Sequence, residues 1–237
     1  MKKFTLIILS LISTLCFLVA CNANSSENCN HTFGDWSTLK SATCIEDITN
    51  HAIESYDVSV NLDGKITAYV VEIDGAYSLY VLGTGEMKNY TSSNTPLYND
   101  GYYNKITTVY IGDSIDSIGD YFLYLCMKVT DIRIPSTLKS IGEFAIAACD
   151  ALDDISLPNG LTNIENYAFY SSGNITTVTI PSTVTTVGQN AFKDCTKLAN
   201  IIIGENSQLK VLGNAAFSNT AYYNDSSNWD GKVLYID

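Results

Sequence analysis

Cys29, His31, Cys44 and His51 are the residues of this chain best suited by type to hold a metal, because thiolate and imidazole are ligands that zinc prefers. Their spacing matches no closed zinc motif, and outside the cytoplasm a Cys29–Cys44 disulfide is the simpler use of the pair. Both uses stay open, and no metal or other cofactor is assigned. The only two histidines lie at or before position 51, so a nucleophile further along the chain lacks its usual base. Carboxylate pairs such as Asp153-Asp154 have a formal use in glycoside chemistry, but neighbouring carboxylates on a turn are ordinarily just solvated. Gly83-Thr84-Gly85 lacks the third glycine of a dinucleotide loop, and Asp57 to Asp63 lacks the glycine and final glutamate of a calcium loop. These residue types predict no enzyme. Cys126, Cys149 and Cys195 fall at intervals of 23 and 46, with Ser172 in the gap. Such a column on stacked coils sits about 4.8 Å apart with parallel Cβ vectors. That is wide for the roughly 3.8 Å between Cβ atoms of a disulfide, so buried free thiols are expected.

The N-terminus carries a different chemistry. Lys2 and Lys3 precede an apolar run from Phe4 to Ala20, the charged and hydrophobic regions of a secretory signal. Leu18-Val19-Ala20-Cys21 resembles the lipobox of bacterial lipoproteins. That resemblance implies cleavage after residue 20 and lipidation of Cys21, placing the chain on the cell surface as a membrane-anchored lipoprotein. The polar stretch Asn22 to Asn30 reads as a tether.

Loss of Lys2 and Lys3 with the signal takes the formal charge of the 237-residue chain from −12 to −14. With Arg133 as the sole arginine, so acidic a chain is ill suited to phosphate backbones, which excludes nucleic acid as a partner. Sixteen tyrosines and 46% hydrophobic residues argue for an ordered, strand-rich fold.

Internal periodicity organises most of that fold. Ile111, Ile134, Leu157, Ile180 and Ile203 recur every 23 residues; so do Ile118, Ile141, Ile164 and Val187, with Leu212 two residues late. Pro135, Pro158 and Pro181 keep step, as do Gly119, Gly142, Gly188 and Gly213, and Ala-Phe pairs close the units at Phe169, Phe192 and Phe217. Each unit reads as a short strand, a proline-marked turn and a second apolar stretch, with the glycine supplying backbone freedom at the next corner. No unit buries its own apolar face, whereas stacked units build one continuous core. The expected fold is mainly β: a solenoid of about five 23-residue units over residues 106–220, preceded by a small antiparallel β cap over 55–105. In that cap, apolar alternation at Val58–Leu62, Ile66–Val70 and Tyr77–Leu82 is punctuated by Asp63-Gly64 and Asp74-Gly75 as hairpin turns. The remaining segments are a signal at 1–20, a Cys/His-containing tether at 21–54 and a tail or partial repeat at 221–237.

The units Ile134-Pro135-Ser136-Thr137-Leu138-Lys139-Ser140-Ile141-Gly142 and Ile180 to Cys195 resemble the BspA-like leucine-rich repeats. The likeness runs over roughly Ile106 to Thr220, extends upstream to Leu82–Met87, and reappears at Thr220–Asn224 and Trp229–Ile236. Cys29 to Trp36 with Ala42-Thr43-Cys44 is similar to a short module found beside such repeats. The resemblance implies a bacterial surface protein that attaches to matrix proteins, other cells or mucosal glycans. By contrast, Gly112-Asp113-Ser114-Ile115 resembles the nucleophile block of the GDSL-type esterases but occupies the slot of Ile134-Pro135-Ser136 and has no histidine partner.

If the first strand of each unit alternates, its outward positions form one row of Tyr110, Arg133, Ser156, Thr179 and Ile202 and a second of Thr108, Asp131, Asp154, Thr177 and Asn200. The expected contact residues are Tyr110, Arg133, Asp131, Asp154, Ser156 and Thr179, led by the aromatic and the arginine. The expected function is adhesin-like binding of matrix or other cell-surface proteins; the alternative is a surface lipoprotein that binds glycans or mucins.

Overall fold

The computed structural model describes residues 48–49, 52–60, 65–230 and 233–234. The signal, Cys21, Cys29, His31, Cys44 and His51 therefore lie outside the described residues, as does the Asp63-Gly64 turn. The chain divides into two compact units, Met1–Ala52 and Ile53–Asp237, and the second holds nearly all that follows.

Hydrogen bonding between coils starts from a hairpin. Strands β1 (Ala52–Asp57), β2 (Ile66–Ile73) and β3 (Ala76–Gly83) lie side by side in the sheet order β1-β2-β3. β2 and β3 pair antiparallel through Asp74 and Gly75, whose φ angles of 50° and 82° are what a two-residue hairpin turn of this hand needs. β3 then pairs in parallel with β5 (Ile106–Ile111), matching Leu79 to Val109 and Tyr80 to Tyr110. Its continuation β4 (Gly85–Glu86) pairs in parallel with β6 (Ile115–Ile118). The hairpin is thus continuous with the solenoid: β3 and β4 together form a coil ahead of the first repeat.

From there the register advances by one repeat per strand. β5 pairs with β7 (Asp131–Arg133), aligning Thr108 with Asp131 and Tyr110 with Arg133. On the other side of the coil, β6, β8 (Ser140–Ile141), β9 (Asn163–Ile164), β11 (Thr186–Val187) and β13 (Val211–Leu212) form a second parallel ladder. The first ladder resumes at β10 (Thr177–Ile180) and β12 (Asn200–Ile203). Its gap at the third unit has a local cause: the Ile155 N–H donates to the Asp154 side chain at 2.8 Å, diverting it from the neighbouring strand.

A third column of bonds closes the arc opposite the strands. The N–H groups of Tyr121, Leu123 and Leu125 donate to the carbonyls of Glu143, Ala145 and Ala147 one coil on, and the pattern repeats from Phe144, Ile146 and Ala148. The intervening amides turn back on their own coil, as from Tyr124 to Tyr121 O. This alternation requires a left-handed residue at each end of the arc, which is why Tyr121, Leu125, Phe144, Ala148, Tyr167 and Ser171 have φ between 53° and 65°. Threonine hydroxyls add cross-coil bonds: Thr130, Thr162 and Thr185 each donate to a carbonyl 23 residues back, at 2.8–3.3 Å.

The core lies between these three columns. Ile111, Ile118, Ile141, Ile164, Ile180 and Val187 are all buried, and Phe169, Phe192 and Phe217 stack face to face at 4.8 and 5.3 Å. Cys126, Cys149 and Cys195 are buried free thiols. The cysteine slot has a chemical requirement beyond size. The Cys149 thiol, the Ser172 hydroxyl and the Cys195 thiol each donate to a carbonyl 26 residues earlier, those of Leu123, Ile146 and Phe169, at 3.4, 2.8 and 3.1 Å. Serine substitutes for cysteine here because both are small donors.

The repeat glycines correct the expectation of backbone freedom. Gly119, Gly142, Gly188 and Gly213 have no positive φ; instead a Cβ on Gly188 would stand 2.5 Å from Asn166 N and 2.6 Å from Glu165 C. Close approach of successive coils is what excludes a side chain there. Gly188→Ala is expected to cost about 1–3 kcal/mol through overpacking, read as a lower urea midpoint. Gly173→Ala, whose nearest neighbour is Thr196 Oγ1 at 3.6 Å, should move it by less than about 0.5 kcal/mol. Equal midpoints for the two variants would sink the close-approach account.

Candidate binding surfaces

The first ladder presents its outward row as the alternation requires. Val109, Ile132, Ile155, Val178 and Ile201 point into the core, while Ser156 and Thr179 are exposed and Ile202 is 44% exposed. The parallel pairing extends the row by one coil to Tyr80, which the repeat spacing did not reach because the step from Tyr80 to Tyr110 is longer than a unit.

Tyr110 departs from expectation. It belongs to the outward row by register but is only 3% exposed, so it is not an open contact residue. The Tyr80 ring flanks it at 6.1 Å and the Arg133 guanidinium lies over its ring at 5.2 Å. Burial raises the Tyr110 pKa, Asp113 adds to the shift, and Arg133 opposes it. Arg133 remains partly open, with 26% of its side chain accessible and Asp113 at 4.0 Å, the outer limit of an ion pair. A cation seated on an aromatic face gains roughly 0.5–1 kcal/mol at such a site. Tyr110 thus packs against Arg133 and offers almost no surface of its own.

The second outward row is tied down at both ends. Ser78 and Thr108 hydroxyls bond at 2.7 Å, and the Asn200 amide donates to Thr177 Oγ1 at 3.2 Å. Between them Asp131 and Asp154 are exposed. The centre of this face therefore groups Asp131, Arg133, Asp154 and Ser156 on two adjacent coils.

A second surface went unread in the sequence. Beside the second ladder a groove of 540 Å³ is lined by side chains from four successive coils, among them Glu86, Asn89, Asp120, Glu143 and Asn166. Next to it in the chain, Tyr121, Phe144 and Tyr167 stack at 4.9 and 4.5 Å, with Tyr124 and Tyr170 set edge-on against them. The available signal was a polar residue followed by an aromatic one at 120–121, 143–144 and 166–167, one repeat apart. Among the described residues, no group of three or more histidine, cysteine or acidic side chains is placed to hold a metal. No helix among them is long and apolar enough to cross a membrane.

Residues 99–226 match the BspA type leucine rich repeat region, in six copies. The chain belongs to this BspA-type leucine-rich-repeat family. Among solved structures it is similar to a leucine-rich repeat protein of Eubacterium ventriosum, at 24% identity and a TM-score of 0.41, over 70% of this chain and 64% of that one. A leucine rich cell surface protein of Faecalibacterium prausnitzii is 20% identical with a TM-score of 0.48, over 73% and 54% of the two chains. The T. pallidum leucine rich repeat protein is 19% identical with a TM-score of 0.47, over 70% and 90%. The chain thus spans less than two thirds of the length of the first two of these. No curated protein matches it.

Proposed function

We propose that this BspA-type repeat protein is a bacterial cell-surface lipoprotein, anchored through Cys21, that binds other macromolecules and catalyses no reaction. Its expected partners are extracellular matrix or other cell-surface proteins. The observation that carries the reading is the contrast along the first ladder: core slots repeat almost unchanged, while the outward slots vary and gather Asp131, Arg133, Asp154 and Ser156 on adjacent coils. Variable polar groups on a rigid, repeating scaffold are how solenoids present binding surfaces. Arg133, resting on the Tyr110 ring, is the anchor of the face, and Thr179 and Ile202 extend it.

The binding test is an array of purified matrix proteins and mucins probed with the full mature chain. Saturable binding to at least one matrix protein is expected, with Arg133→Ala plus Asp131→Ala weakening it at least tenfold, about 1.4 kcal/mol. Tyr110→Ala should weaken the same binding by a smaller factor. Undiminished binding by the double variant would remove this face from the proposal. The anchor has its own test. Expressed in bacteria fed a labelled fatty acid, the chain should carry the label and sediment with membranes, and Cys21→Ala should lose both. Label retained on Cys21→Ala would disprove lipidation at that residue.

A further inference from the structure

The groove beside the second ladder is built from residues that the outward face does not use. Asn89, Asp120, Glu143 and Asn166 stand on four successive coils, which stack about 4.8 Å apart. Three of them are pinned by the scaffold. Asn89 Oδ1 accepts the Asp120 N–H at 3.0 Å, Asp120 Oδ1 accepts the Glu143 N–H at 2.7 Å, and Asn166 Oδ1 accepts the Gln189 N–H at 2.8 Å. Each bond fixes a planar group by one atom and leaves the other atom for a ligand: Nδ2 of Asn89, Oδ2 of Asp120, Nδ2 of Asn166. Among the described residues none of these second atoms has a hydrogen-bond partner. Glu86, Ser140 and Glu143 contribute further acceptors and a hydroxyl to the same groove. The result is a row of donors and acceptors whose orientations are set before any ligand arrives.

Tyr121, Phe144 and Tyr167 follow Asp120, Glu143 and Asn166 directly and hold φ of 57°, 53° and 58°. Bulky residues in the left-handed region are uncommon and cost on the order of 1–3 kcal/mol each. Beyond the groove the same slot reverts to Asn190 and Ala215, a residue that tolerates this conformation and one with little bulk. Aromatic side chains occupy the slot only on the coils that line the groove.

Ligand chemistry follows from the lining. Apolar residues are few there (Val60, Met87 and Ile118), too few for the desolvated anchor pocket of a protein contact. A cationic peptide would satisfy the carboxylates but oppose its ammonium donors to the amide donors of Asn89 and Asn166. An anionic sugar would meet Glu86, Asp120, Glu143 and Glu165 against Lys88 as the one cation in the lining. A polyol both donates and accepts, and so fits a row with two carboxylates between two amides. We propose that this groove binds a neutral oligosaccharide, with Asn89, Asp120, Glu143 and Asn166 bonding its hydroxyls.

Saturation-transfer NMR of the full chain with mannohexaose, chitohexaose and cellohexaose tests this, with 6′-sialyllactose, a heparin hexasaccharide and octalysine as competing probes. At least one neutral hexasaccharide should bind saturably. Asn166→Asp keeps an oxygen to accept the Gln189 N–H and replaces the Nδ2 donor by a charged acceptor, so it should change the thermal midpoint little at this exposed position while weakening binding at least fivefold. Glu143→Ala should weaken it at least tenfold, and Arg133→Ala by less than twofold, which separates this groove from the outward face. Silence of all three neutral sugars overturns the proposal. So does preferred binding of an anionic sugar, octalysine binding lost in Glu143→Ala, or neutral-sugar binding indifferent to both groove variants. None of those results bears on the outward face, whose test rests on Arg133 and Asp131.

Discussion

Phe192→Ala should lower the stability of the folded chain by about 3–5 kcal/mol, the range for deleting a fully buried phenylalanine from a core that cannot collapse around the loss. Phe192 has no solvent exposure and is stacked on both faces, by Phe169 at 4.8 Å with 6° between planes and by Phe217 at 5.3 Å with 13°. Its backbone is also shared between coils, since its N–H donates to Ala216 O and its carbonyl accepts from Cys195 N. Both neighbouring rings are held by their own coils and cannot slide into the space. In a solenoid each unit is stabilised chiefly by its neighbours, so the damage concentrates on the last two coils rather than spreading evenly. Hydrogen exchange should report it: amides of Val211 to Phe217 lose protection by a larger factor than those of Ile106 to Ile118. Phe192→Leu, which keeps most of the volume, should cost less than half as much. Phe217→Ala, nearer the end of the array, should fall between the two. A loss below about 1 kcal/mol for Phe192→Ala would mean that the aromatic column is not what binds the last coils together.

Phe192 also illustrates what the sequence made legible. Every column of the core repeats because every coil meets the same neighbours, and identical neighbours demand similar side chains. The strands, the apolar slots and the buried thiols could therefore be read from spacing alone. Three features escaped that reasoning. Gly188 has an ordinary backbone, and its missing side chain reflects a neighbouring coil whose Asn166 N lies 2.5 Å from where a Cβ would stand, a contact between segments that periodicity cannot measure. Tyr110 alternates outward as its register dictates, yet Tyr80 and Arg133 pack against it, and Tyr80 lies on a hairpin outside the repeat. The groove depends on which atom of Asn89, Asp120 and Asn166 the next coil's amide claims, a detail of hydrogen bonding rather than of residue type. Function is written in the positions where successive units differ, and those positions carry no period to reveal them.

The same buried column predicts how the protein unfolds in alkali. Burial pushes the thiols of Cys126 and Cys195 up to about 12, and that of Cys149 well above its ordinary value, with Cys126 and Asp150 adding to the rise. Tyr80 is raised as well, again chiefly by burial. A raised folded pKa means that the folded chain keeps a proton which the unfolded chain gives up. These groups therefore contribute nothing pH-dependent below about pH 8.5, where both states are protonated. Above it, stability should fall by about 1.4 kcal/mol per pH unit for each thiol, until Cys126 and Cys195 themselves ionise in the folded chain near pH 12. Three thiols together would remove about 4 kcal/mol per unit, a large share of the 5–15 kcal/mol that holds a typical domain. Urea midpoints should accordingly be flat from pH 7 to 8.5 and drop steeply by pH 10. A hydroxyl already fills this slot at Ser172, so Cys149→Ser and Cys195→Ser retain the donor to Leu123 O and Phe169 O. Combined with Cys126→Ala, they should make the decline between pH 8.5 and 10 at least twofold shallower, with only a modest loss at pH 7. Native chain treated with iodoacetamide at pH 8 should stay unmodified at all three positions and become fully labelled in urea. An alkaline decline equally steep in the triple variant would assign the transition to tyrosine ionisation instead, with Tyr80→Phe then the substitution that flattens it.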